Sequence, residues 1–187
     1  MNAIEAIHTR NSVGQLTEPG PAGEALDNIL MAGVRASDHR RLRPWCFLLI
    51  EGTARNKLGE LFVQVTKQDK PNLTLEEQQD IAAKTLRAPL IIAVVAHLQA
   101  DPKVPEIEQL LSTGGAAQLM LLAAHAQGFG GVWRTGDMAY HPRVREGLGL
   151  EESDRIVGFL YMGTPKGEKK LTELDPYQFC RRWGKSE

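Results

Sequence analysis

Cysteine is scarce, and what there is has no pattern. Cys46 and Cys180 are far apart, with no CxxC and no framework spacing. Such usage fits a reducing, cytoplasmic protein rather than a disulfide-stapled one. Charge of one sign is missing as well: 22 basic residues face 23 acidic ones, for a net charge of -1. A general nucleic-acid binder would carry a basic excess, so that class is set aside. No apolar run reaches the roughly 18 residues that a membrane-spanning helix needs, so no membrane span is expected. The N-terminus lacks the charged-then-apolar order of a signal peptide. Internal repeats and low-complexity tracts are absent.

Several catalytic signatures are missing too. His8, His39, His97, His125 and His141 are scattered, without HExxH or a Cys/His pair at ligand spacing, so no metal site is expected. There is no GxSxG elbow for acyl transfer. Gly128-x-Gly130 follows a helical stretch and precedes a strand. A dinucleotide fingerprint needs the reverse order, so a Rossmann site is excluded.

What is present is organised around residues 112–137, STGGAAQLMLLAAHAQGFGGVWRTGD. From Ala116 to Ala126 only Gln118 and His125 are strongly polar. A helix apolar on nearly every side is expected to lie inside the protein. The small residues Gly114, Gly115, Ala116 and Ala117 allow close approach of other backbones. Gly128 suits the left-handed residue that closes a helix. A short strand carrying Trp133 and Arg134 should follow. His125, near the helix end, reads as a satisfied structural histidine.

The remaining chain alternates helices with strands. Helices are expected at Asn2 to His8, with Ile4 and Ile7 on one face, and at Glu24 to Arg35. Trp45 to Ile50 reads as a buried strand with Cys46 as an inert core residue. Thr53 should cap a helix with Leu58, Leu61, Phe62 and Val65 on its core face, followed by a polar loop at 67–72. Thr74 to Glu77 forms a capping box for a helix reaching about Leu86. Leu90 to Val95 is a second buried strand. Pro142 opens a short helix, and Ile156 to Met162 is a fourth strand. One mixed α+β domain over residues 1–187 follows, a length that buries roughly 70% of the unfolded surface. The tail from Gly163 carries Tyr177, Phe179 and Trp183 but is too short to bury them against itself. Packing on a second subunit is expected.

Basic groups cluster at Arg10-Asn11-Ser12 and along residues 35–43, which hold Arg35, His39, Arg40, Arg41 and Arg43. Arginine offers a planar fork for phosphate and serine adds a donor. Taken singly, either reads as a solvated surface loop. Their order with other motifs says more: Arg10-x-Ser12, then His39-x-x-x-Arg43-Pro44-Trp45, then Ala126-Gln127-Gly128-x-Gly130-Gly131-x-Trp133-Arg134, then Gly158-Phe159-Leu160-Tyr161-x-Gly163-Thr164-Pro165. Over nearly the whole chain this resembles the nitroreductase family, in its short-chain branch.

The resemblance implies a three-layer α-β-α sandwich with a central, mostly antiparallel sheet around a buried helix. It implies a homodimer with two FMN sites at the interface and a C-terminal tail reaching the partner. FMN would be held by Arg10, Asn11 and Ser12, by Arg35 and His39, and by Trp133, Arg134 and Thr135. A nicotinamide-dinucleotide contact would fall on Ala123, Ala124, His125, Ala126, Gln127 and Gly128. The implied activity is ping-pong, two-electron hydride transfer from NADH or NADPH to nitroaromatics, quinones or similar small acceptors, with the flavin carrying the chemistry and no catalytic side chain. Other outcomes on the same fold are reductive dehalogenation or a non-catalytic flavin-binding, sensing role. The chain departs from the family pattern at Asn11, where a second basic residue is common, and at Arg43, where glutamine often precedes Pro-Trp.

Overall fold

A computed structural model describes residues 1–167 and 170–184. The chain runs α1 (Ala3–Thr9), β1 (Leu16–Thr17), α2 (Glu24–Gly33), β2 (Trp45–Glu51), α3 (Ala54–Asp69), α4 (Leu75–Ala83), β3 (Leu90–His97), α5 (Glu106–Ala126), β4 (Gly130–Arg134), α6 (Gly136–Tyr140), α7 (Pro142–Gly147) and β5 (Asp154–Pro165). Short 3-10 turns lie at His39–Arg41, Lys84–Leu86 and Pro176–Phe179.

β5 organises the sheet. It pairs with β3 on one side, and β3 pairs with the edge strand β2. β4 pairs with Phe159 to Gly163 of β5, and β1 with Thr164 and Pro165. Every pairing is antiparallel. Side-chain alternation then builds two cores. Ile91, Ala93, Val95, Phe159 and Tyr161 face α3, where Leu58, Phe62 and Val65 meet them. Leu90, Ile92, Val94, Leu160 and Met162 face α2 and α5, where Ile29, Ala117, Met120 and Ala124 meet them. Burying each large side chain contributes about 1.5–3 kcal/mol. Helices thus cover both faces of an antiparallel sheet, the expected α+β sandwich.

Helix ends follow local chemistry. Thr74 and Glu77 form the capping box, with the Glu77 N–H donating to Thr74 Oγ1 at 3.2 Å and the Thr74 N–H donating to Glu77 Oε2 at 2.7 Å. α5 ends at Gly128, which has φ +87°. The Gly128 N–H donates to His125 O and the Phe129 N–H to Ala124 O, the Schellman pattern. α2 lies close on α5 because residue 33 has no side chain. A Cβ there would sit 2.9 Å from Met120 Cγ and 3.0 Å from Phe47 Cζ.

Five expectations need correction. α5 is not enclosed on nearly every side: Ala116, Ala117, Met120 and Ala124 are fully buried, but Ile107 and Leu111 are 60% and 67% exposed. One sheet covers one side of a helix, and nothing among the described residues covers Ile107 and Leu111 on the other. β2 is the sheet edge, so it is only partly buried, and Cys46 is exposed rather than a core residue. The helix expected at the N-terminus is present as α1; the face that carries Ile4 and Ile7 is exposed, and Ala6 is its buried residue. Thr53 precedes α3 with helical backbone angles and makes no capping hydrogen bond. α3 continues to Asp69 instead of stopping at a loop. In the tail, Leu174, Tyr177, Phe179 and Trp183 are all strongly exposed; residues 168, 169 and 185–187 lie outside the described residues. No helix among the described residues is long and apolar enough to cross a membrane.

Candidate functional site

The N-terminal basic segment and β4 are built together. Asn2 caps α1 through the Glu5 N–H, and α1 ends with the Arg10 N–H donating to Ala6 O. The chain then runs alongside β4, tied by the Val13 N–H donating to Gly131 O at 3.0 Å. Arg134 of β4 reaches back to this segment. Its Nη2 lies 3.3 Å from where a Cβ on Gly14 would sit, so the absent side chain makes room for the guanidinium. Arg10, Ser12 and Arg134 thus belong to one region. The Asn11 side chain turns elsewhere: Oδ1 accepts from the Ser12 N–H at 2.8 Å and Nδ2 donates to Lys170 O at 3.3 Å.

Arg134 opens onto a cavity of about 780 Å³ between β4, β5, α6 and the α3–α4 helices. That volume is within the range of small-molecule sites, about 300–1,000 Å³. Phe62, Thr66 and Ile81 contribute from the helices, Leu73 from the loop between α3 and α4, and Phe159 and Tyr161 from the sheet. The Arg134 guanidinium carbon lies 5.7 Å from the centre of the Tyr161 ring, a cation–π distance. Burial pushes the Tyr161 phenol above its ordinary range, against the opposing pull of Arg134 and then Arg87.

Trp133 points to the opposite side of the sheet, toward α5. Its indole N–H donates to Val157 O at 3.2 Å. A Cβ on Gly158 would lie 2.0 Å from that nitrogen, so the indole occupies the room a side chain at 158 would take. The side chain of Trp133 is therefore a packing group. Thr135 leads into α6 and makes no capping hydrogen bond.

Residues 123–128 form the last turn of α5 and its exit. His125 Nε2 lies 2.9 Å from Thr9 Oγ1. Gln127 Nε2 donates to Ala25 O and Ala123 O, and its Oε1 accepts from Asn28. This turn fastens α1 and α2 to α5. Burial first, and the Arg10 charge second, hold the His125 imidazole below its usual range.

Arg35 and His39 are placed differently. Arg35 follows α2, beside Ala36, which abuts Gly115 in the middle of α5. His39 Nδ1 lies 2.6 Å from Glu108 Oε2, in the first turn of α5. The loop around it is strained: Arg40, Arg41 and Arg43 have φ of 60°, 59° and 49°. Asp38 holds it, with Oδ2 accepting from the Arg43 N–H at 2.7 Å. His39 and the Arg10 segment thus sit near opposite ends of α5. From residue 108 to residue 125, at roughly 1.5 Å each, they are about 25 Å apart along the axis. One chain brings Arg10, Ser12 and Arg134 together, and does not bring His39 to them.

Sequence reasoning missed Tyr161 and Arg87 as cavity groups. The alternation of β5 signals that Phe159 and Tyr161 share a face, but only the topology says that α4 and β4 frame that face.

A model of the nitroreductase family matches residues 7–164. The chain is 45% identical over 182 residues to YdjA of Escherichia coli strain K12, provisionally named an NAD(P)H nitroreductase, covering 96% of this chain and 98% of that one. Among solved structures, a nitroreductase-like family protein from Bacillus cereus superposes with a TM-score of 0.84 at 24% identity, covering 99% of this chain and 97% of that one. A Desulfovibrio desulfuricans protein, provisionally called a nitroreductase and solved in complex with FMN, superposes with a TM-score of 0.75 at 20% identity, covering 100% and 99%. At such identities the solved structures speak to the fold.

Proposed function

The chain belongs to the nitroreductase family, and from that premise we propose that it is an FMN-dependent oxidoreductase that draws electrons from NADH or NADPH. The supporting observation is that the segment after Arg10–Ser12 runs along β4, where Arg134, which lines the 780 Å³ cavity, reaches back to Gly14. The donor set fits the cofactor. Among the described residues Arg10 and Arg134 form no ion pair within 4.0 Å, so their charge is available for a phosphate and an electron-rich ring. Each charge-assisted contact contributes about 1.5–3 kcal/mol. Ser12 adds a hydroxyl beside Arg10, and the backbone and hydroxyl of Thr135 extend the set along the cavity rim.

Bound FMN would supply two-electron transfer from the nicotinamide to a nitroaromatic, a quinone or a similar acceptor. The residues of the chain bind, orient and shield. Phe62, Phe159 and Ile81 offer apolar walls that exclude water, and Arg134 offers positive charge where a reduced ring gains negative charge. Among the described residues there is no separate dinucleotide-binding unit, which supports the reading that donor and acceptor take turns in one pocket, a ping-pong order. The 123–128 turn is engaged in holding α1 and α2, and nicotinamide binding is assigned to the cavity instead.

The site is completed by a second copy. The separation of about 25 Å along α5 keeps His39 from serving the same flavin as Arg10 of its own chain. Two copies packed antiparallel on the open face of α5 bring the N-terminal half of one helix to the C-terminal half of the other, as a two-fold interface requires. The exposed tail aromatics would then lie on the partner. The test is a flavin spectrum of the purified protein, with anaerobic bleaching by NADH or NADPH and steady-state kinetics. Flavin bands, bleaching and parallel double-reciprocal lines are expected. A colourless protein that takes up no FMN overturns the reading; intersecting lines overturn the shared pocket.

A further inference from the structure

The cavity wall farthest from Arg10 has a chemistry of its own. The 3-10 turn after α4 places Arg87 and Lys84 on the cavity, across from Arg134. Among the described residues neither Arg87 nor Arg134 comes within 4.0 Å of a carboxylate. Three acids also line the cavity, Glu77, Asp80 and Asp137. The Glu77 carboxylate is turned away to its own helix cap, accepting from the Thr74 N–H. Between the two arginines lies Tyr161. Its side chain lines the cavity although the residue is only 4% exposed. Its hydroxyl has no hydrogen-bond partner among the described residues and is open to the cavity, so a ligand there can accept from it. Burial holds the phenol in its protonated form, and the pull of both guanidiniums on it places them in its electrostatic neighbourhood.

A cavity-facing hydroxyl donor without a protein acceptor, near two guanidiniums that have no carboxylate partner among the described residues, suits a ligand with a negative oxygen. We propose that Tyr161, Arg134 and Arg87 form a carboxylate-recognition set within the acceptor pocket, so that the acceptor class of this protein is an aromatic acid. The apolar side chains of Phe62, Ile81 and Phe159 take the ring, while Tyr161 donates to the carboxylate and the arginines neutralise it. Arg87 and Tyr161 are positioning residues here. They select and orient the acceptor and transfer no electrons. The inference rests on the oxidoreductase reading for its biological sense, but the anion site is testable without turnover.

Benzoate and its neutral analogue benzamide are the probes, titrated calorimetrically into the purified holoprotein. Benzoate is expected to bind at least about tenfold tighter, because charged hydrogen bonds outweigh neutral ones. Arg87→Gln should abolish that preference, and Tyr161→Phe should weaken it about tenfold. In turnover, the ratio of kcat/KM for 4-nitrobenzoate over its methyl ester should fall about tenfold in Arg87→Gln. Arg87 is exposed, so its variant folds and decides the matter even where Tyr161→Phe does not. Equal binding of benzoate and benzamide overturns the proposal. So does a preference that survives Arg87→Gln, with or without loss of flavin. A preference that falls as expected, in a protein that reduces neither nitro compound with NADH or NADPH, leaves the anion site standing and overturns the oxidoreductase reading instead.

Discussion

α5 has two apolar faces with different fates. On one, Ala116, Ala117, Met120 and Ala124 are packed against the sheet and α2 with no exposed surface. On the other, Ile107, Leu111 and Leu119 look outward, together with Gly115 and Gln118. The compositions are similar, so hydrophobicity alone does not tell them apart. The difference lies in shape. The closed face meets Gly33, whose missing side chain lets two backbones approach. The open face has the same small residues at 114 and 115, where a Cβ would only touch the Trp133 ring at 3.8 Å and Ala36 at 3.9 Å. Exposed apolar patches of this kind mark association sites. The closed face therefore makes the fold, and on the two-copy reading proposed above the open face belongs to the assembly.

The largest expected effect breaks the open face alone. Leu111→Asp would bury two like carboxylates near a two-fold axis, at a cost of about 4 kcal/mol, or roughly a thousandfold in dimer affinity. Light scattering at micromolar concentration should show a folded monomer without flavin; a dimer that keeps FMN removes this face from the assembly. Second, Gly158→Ala attacks the closed side, because its methyl meets the Trp133 indole and the Arg134 carbonyl. A loss of about 3 kcal/mol in unfolding free energy is expected by urea titration. Stability within about 0.5 kcal/mol of the parent would show that the indole moves freely. Third, Arg10→Ala works at the end where the closed face meets the site. It should weaken FMN binding by about 2 kcal/mol, about thirtyfold, at unchanged Tm. Fluorescence titration of the apoprotein reads this, and unchanged affinity removes Arg10 from the cofactor.

The smallest effect concerns His125, at the same end of the helix. Its folded pKa lies below the unfolded value through burial and the Arg10 charge. The unfolded chain therefore binds the proton first as pH falls, and stability drops between the ordinary histidine range and the lower folded pKa. The residue is only half-buried, so solvent screens the effect to a small one. His125→Gln should flatten this part of the stability–pH curve. A curve of the same slope in the variant assigns the drop to other groups.

How far the sequence carried varied by element. β3 was legible because it is buried on both faces and reads as an unbroken apolar run. The capping box at Thr74 and the left-handed Gly128 were legible because their causes lie within a few residues. The histidine at the end of α5 is the satisfied structural group expected. β1 was not legible: two residues become a strand only because Thr164 and Pro165 pair with them. The edge position of β2, and with it the exposure of Cys46, is a fact of strand order that no local pattern encodes. The same holds within the site. Arg10 and Arg134 carried a motif, whereas Arg87 and Tyr161 meet only after β5 is placed between β3 and β4. The open face of α5 reads as buried because its composition is that of a core surface, and only the arrangement of the other elements shows that it is exposed.

The length of α5 between Glu108 and His125 has a genetic consequence. On the two-copy reading, each flavin pocket takes Arg10 from one chain and Arg35 and His39 from the other. Two alleles that are each inactive, one lacking Arg10 and one lacking Arg35, should then complement when expressed together. A mixed dimer holds one pocket with both halves defective and one with both intact. Random mixing makes about half of the dimers mixed, so on the order of a quarter of all pockets should recover flavin. Neither allele alone, at any dose, should reach that level.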